Sequence, residues 1–152
     1  MARDASPPDR TPVIPVLARG EVRLRTLHGD GARLVHAIGT GAALRVLSRF
    51  GGSAVDLTGD VATGPVADLI GADAAQAMLA AFGPRALDAD LDSLRGAAGR
   101  RSRGLWLLAN DAPGMGVARQ CDVHMRTARY WRAALNRLPA EDLAQLRQGN
   151  SR

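Results

Sequence analysis

The segment from His124 to Asn136 sets three arginines, a threonine and a tyrosine among apolar residues at helical spacing. Ala128, Trp131 and Leu135 recur every three or four residues, so a helix here buries one stripe and exposes the other. The exposed side then carries Arg126, Thr127, Arg129, Tyr130 and Arg132. A guanidinium in such a place can bond the O6 and N7 of guanine in the major groove, or it can grip phosphate oxygens and fix position without reading sequence. Val117–Cys121 reads as a shorter helix just before it, with Asp122-Val123 as a tight turn. Together they match a helix-turn-helix. Ala118 is the small residue where two helices cross, Val123 plugs the core after the turn, and Ala128 and Trp131 are buried on the second helix. Two positions depart from the usual pattern: Asp122 stands where Gly is common, and His124 takes the N-cap place of Ser, Thr or Asp. The expected roles are base-edge contact by Arg126, Thr127, Arg129 and Tyr130, and phosphate contact by Arg100, Arg101, Arg103, Arg119 and Arg132.

The charge distribution points the same way. The 152-residue chain holds 20 basic and 15 acidic residues, a net charge of +5, and every one of its cations is arginine. Residues 1–93 carry nine arginines against eleven acids, net −2, whereas residues 94–152 carry eleven against four, net +7. A basic module at one end of a chain suits an anionic partner such as double-stranded DNA. The absence of Lys excludes a Schiff-base lysine or a P-loop lysine. The single cysteine, Cys121, excludes an internal disulfide and a thiolate zinc cluster. His28, His36, His124 and Cys121 fit no metal-ligand spacing, and Asp56, Asp60 and Asp68 have no base or nucleophile beside them. The expectation is a non-enzyme with neither metal nor cofactor. No apolar run approaches the roughly 20 residues that span a bilayer, and the first ten residues lack the apolar core of a signal peptide, so the expected location is the cytoplasm, away from membranes.

The elements that would hold this reader are less plain. Ser93–Asn110 reads as one helix, with possible breaks at Gly99 or Gly104, and Asp111–Gly116 is a cluster of breakers. Residues 1–15 are polar with four prolines and read as a disordered or extended arm. Between arm and helix lies a duplication: Ile38–Asp56 aligns on Ile70–Asp88 at an offset of 32, with nine identities in nineteen positions. Each unit reads as a helix ended by Gly and followed by a short strand. Two short helices and two strands bury little area, and isolated strands need pairing, either with each other or with a second chain. Leu47, Phe50, Val55, Leu79, Phe82 and Leu87 are the apolar residues expected to join two copies. The expected fold is mainly α: an arm over 1–21, a duplicated helix–strand dimerisation domain over 22–92, a trihelical helix-turn-helix domain over 93–138, and a C-terminal helix and tail over 139–152.

The paired segments Ile38–Leu57 and Ile70–Ala89, each running from Ile-Gly through Ala and Leu to Phe-Gly, followed by a basic trihelical region over Leu94–Leu138, resemble the Mor-type family of phage transcription activators. The resemblance covers about residues 34–138. It implies a homodimer formed through the N-terminal region, which binds a dyad-symmetric promoter element and recruits RNA polymerase. By helix-turn-helix geometry, two recognition helices then meet the major groove about one helical turn apart. Two other readings stay open: a repressor or non-specific DNA binder on the same scaffold, and a helical protein-interaction module in which Trp106, Tyr130 and Trp131 form a partner patch.

Overall fold

The structure, a computed structural model, describes residues 11–50, 54–57, 60, 62–83, 86–88 and 94–148. The chain enters through a hairpin, β1 (Val13–Ala18) and β2 (Glu21–Thr26), closed by the two-residue turn Arg19-Gly20. Both turn residues have positive φ, 52° and 78°, as a tight hairpin turn that follows the strand twist requires. The arm expected over 1–21 is therefore corrected from Val13 onward, and residues 1–10 lie outside the described residues. Successive strand side chains point to opposite faces, and here both faces are covered. Ile14 and Val16 pack on one hydrophobic core, while Val13, Leu17, Val22 and Leu24 pack on another.

The duplication follows as α1 (Gly29–Ile38), α2 (Thr40–Phe50), β3 (Ala54–Asp56), α3 (Pro65–Ile70), α4 (Ala72–Phe82) and β4 (Ala86–Asp88). Each unit is thus helix, glycine, helix, strand, one helix more than the sequence suggested. Gly39 and Gly71, at φ 82° and 91°, are the joints. Their N–H groups donate to Val35 O and Ala67 O, 2.8 Å each, and their carbonyls accept from Ala43 and Ala75 in the next helix. Only glycine takes such φ values cheaply, so the Ile-Gly pair marks a bend between helices.

β3 and β4 pair antiparallel within the chain, in the register Ala54↔Asp88, Val55↔Leu87 and Asp56↔Ala86. Adding the offset of 32 to residues 54–56 gives 86–88, so this register is a local two-fold about the Val55–Leu87 pair. The helices obey it too, with α1 packed on α4 and α3 on α2. Leu47, Val55 and Phe82 are buried in this core, and Phe50 and Leu79 are half-buried against it. The assignment of Leu47, Val55 and Phe82 to contacts between two copies is corrected for that reason, since their apolar surface is already covered by their own chain, whereas Phe50 and Leu79 keep part of theirs exposed. The side chain of Leu87 lies outside the described residues.

Four helices complete the fold: α5 (Ala97–Ala109), α6 (Gly114–Gln120), α7 (Met125–Leu135) and α8 (Ala140–Gln148). With eight helices and two two-stranded sheets among the described residues, the molecule is mainly α. α5 runs unbroken through both glycines, which serve close approach. A Cβ at Gly99 would strike Ser48 of α2 and the Leu94 carbonyl, and one at Gly104 would strike the Trp131 ring of α7. α5 is shared by both cores: Trp106 joins the duplicated unit, and Leu105, Leu108 and Ala109 join the C-terminal helices. A division near residue 93 consequently does not part the molecule into two separate cores. No helix among the described residues is long and apolar enough to cross a membrane.

Candidate nucleic-acid interface

Local geometry around α7 shows how the two unusual turn residues are accommodated. Asp122 sits at φ 52°, the left-handed conformation that Asp tolerates better than most side chains. The Val123 N–H donates to Ala118 O at 3.0 Å and closes the turn. His124 replaces the usual hydroxyl or carboxylate cap with its ring, because its Nδ1 accepts the Arg126 N–H at 3.1 Å. Ala118, Ala128 and Trp131 are buried and Val123 is half-buried, as the helix-turn-helix pattern requires. Trp131, 4% exposed, lies over Gly104 of α5, so the depth at which α7 seats depends on a residue without a side chain.

On the outer side of α7, Arg126, Arg129 and Tyr130 are exposed and Thr127 is half-buried. Positions three and four apart share a helix face, so Arg126, Arg129 and Tyr130 project together. Arg119 is exposed on α6. Among the described residues, none of Arg100, Arg101, Arg119, Arg126 and Arg129 lies within ion-pair distance of a carboxylate.

Two expected phosphate ligands also hydrogen-bond to their own chain. Arg103 donates to the Gln120 carbonyl at 3.1 Å and to Gln120 Oε1 at 3.0 Å, and so ties α5 to the end of α6. Burial, reinforced by the Arg45 guanidinium, holds its pKa below the usual arginine range. Arg132 donates to Ala112 O at 3.1 Å and clasps the loop before α6. Through these bonds both guanidiniums brace the helices around α7. Cys121 is buried, and burial pushes its thiol up against the pull of Arg103, Arg100 and Arg45. Among the described residues no group of three His, Cys, Asp or Glu side chains is placed to hold a metal ion.

The partner patch expected of Trp106, Tyr130 and Trp131 does not form. Trp106 is packed against Gly41 of α2, where a Cβ would lie 2.9 Å from its ring, and Trp131 is buried on α5, leaving Tyr130 alone at 53% exposed.

The structure also brings together residues that the sequence kept apart. A cleft of about 440 Å³ is lined by Arg19 and Gly20 of the hairpin turn, Arg100 and Arg101 of α5, and Thr127 and Tyr130 of α7. Arg19 and Gly20 were hidden in the expected arm. The signal that could have shown them is an Arg-Gly dipeptide between two six-residue runs rich in Val and Leu, a hairpin spacing. No family model matches the sequence, and comparison with curated proteins and with solved structures returns no match.

Proposed function

We propose that the protein is a sequence-specific DNA-binding regulator of transcription that reads the major groove with α7. One observation carries this reading: a capped helix, locked by Trp131 into α5, presents Arg126 and Arg129 outward on a common face with no carboxylate partner among the described residues. Rigid placement matters because base readout needs hydrogen bonds of fixed direction, and each bidentate pair contributes about 1–3 kcal/mol of discrimination. Arg126 and Arg129 are the base-reading residues, and Arg119 neutralises phosphate.

Its likeness to the Mor-type activators supports a finer reading, in which the chain acts at a phage or prophage promoter and engages RNA polymerase. Two copies on a dyad-symmetric element would meet through surfaces other than Leu47, Val55 and Phe82. Fluorescence anisotropy with a labelled duplex at low salt tests DNA binding directly. Arg126→Ala should lose preference at one base pair, whereas Arg119→Ala should weaken all duplexes alike and flatten the salt dependence. Identical behaviour of the two variants would refute the division of roles. Transcription in vitro from a bound promoter separates activator from repressor.

A further inference from the structure

We propose that the cleft between the hairpin turn and α7 seats a backbone phosphodiester of duplex DNA, with Arg19 as a ligand contributed by the β-hairpin. The inference rests on the DNA-binding reading above and adds to it an element, β1–β2, that the helix-turn-helix pattern does not contain.

Three features of the cleft converge. The first is its chemistry: Arg19, Arg100 and Arg101 line it from two elements, with Thr127 and Tyr130 from a third, and among the described residues no carboxylate lines it. Glu21, next to the turn, instead pairs with Arg23 at 3.6 Å. Guanidiniums and hydroxyls together are what phosphate oxygens accept from. The second is the backbone of Arg19. Its φ of 52° lies where side chains other than Asn, Asp and Gly are uncommon, and a turn of this type favours Asn-Gly. An arginine held there satisfies no need of the hairpin itself, and strained residues of this kind gather at binding sites. The third is the fit between turn and reader. A Cβ on Gly20 would lie 3.3 Å from the Tyr130 hydroxyl, so the turn comes close enough to α7 for one phosphate group to touch both.

The cleft is open to solvent rather than enclosed, as a seat for one group of a continuous strand must be. Tyr130 accordingly serves the phosphate seat, and base reading falls to Arg126 and Arg129. The hairpin turn and the recognition helix would then hold one strand between them.

The test uses the full chain and a labelled duplex, with affinity followed against salt. Arg19→Asn should bind every duplex about fivefold to tenfold more weakly at 0.1 M salt, and the slope of log K on log salt should fall by about 0.9, the value for one lost phosphate contact. Its melting temperature should stay level or rise, because Asn suits the turn. Arg49→Ala, on the exposed side of α2, removes the same charge elsewhere and should leave the slope unchanged. If the wild type binds and Arg19→Asn matches either the wild type or Arg49→Ala, the phosphate seat is refuted while the recognition-helix reading stands. If the wild type binds no duplex at low salt, the DNA-binding reading fails first and takes the seat with it. Inorganic phosphate, followed by tryptophan fluorescence, is the remaining arm. Saturation of the wild type below millimolar phosphate, with no competition from duplex, would identify a free anion as the occupant and overturn the assignment to DNA.

Discussion

Gly104 and Gly116 are both helical glycines, yet replacement by alanine should act in opposite directions. At Gly104 the added methyl meets the Trp131 ring, and overpacking of this kind costs about 1–3 kcal/mol. At Gly116 of α6 the nearest atom is Pro113 Cγ at 3.5 Å, an ordinary contact, so the gain in helix propensity of about 0.5–1 kcal/mol should prevail. Urea unfolding of the two variants checks both signs. Cys121 gives a dependence on pH. Its folded pKa is raised by burial, so above the ordinary thiol range the unfolded chain loses its proton first and stability falls as pH rises. The fall in melting temperature above pH 9 should be smaller in Cys121→Ala than in the wild type. The burial of Ala128 and Trp131 was readable from spacing alone. That Trp131 needs a glycine 27 positions earlier was not, because the partner lies on another helix and leaves no periodic trace.

The β-hairpin shows how an element escapes a reading of the sequence. A strand covered on both faces shows no alternation of apolar and polar residues, and Val13–Ala18 reads as a plain apolar run with Pro15 inside it. Proline is admissible here because each strand of a two-stranded sheet is an edge. The hairpin is no appendage: Ile14 is fully buried in the core of the duplicated unit. Ile14→Ala should destabilise the whole chain by about 2–4 kcal/mol in chemical denaturation, whereas a dispensable arm would show almost no change. Helix α7, in contrast, was legible nearly to its ends. Its apolar stripe, turn and basic face are all local, and the observed Met125–Leu135 falls within the expected His124–Asn136.

At the scale of the molecule, α5 and the hairpin each border both cores, which predicts one cooperative unfolding transition. The two tryptophans serve as independent probes, Trp106 in one core and Trp131 in the other. Single-tryptophan variants, Trp106→Phe and Trp131→Phe, should each give coincident fluorescence and circular-dichroism midpoints in urea. If the two probes of one variant separate, the cores unfold independently. The duplication was visible in the sequence, but which strands pair was not, because the apolar pattern of Val55 and Leu87 serves a partner in the same chain or another equally well.

That internal pairing has an evolutionary consequence. Two identical polypeptides in a symmetric complex must change in lockstep, since one gene encodes both faces. Here the tandem copies are tethered and mutate separately. Gly41, Leu44 and Ser48 line the side of α2 that receives α5, while their counterparts Asp73, Gln76 and Ala80 on α4 are exposed. One copy has become a cradle and its twin has stayed plain surface, a division of labour that identical subunits cannot achieve.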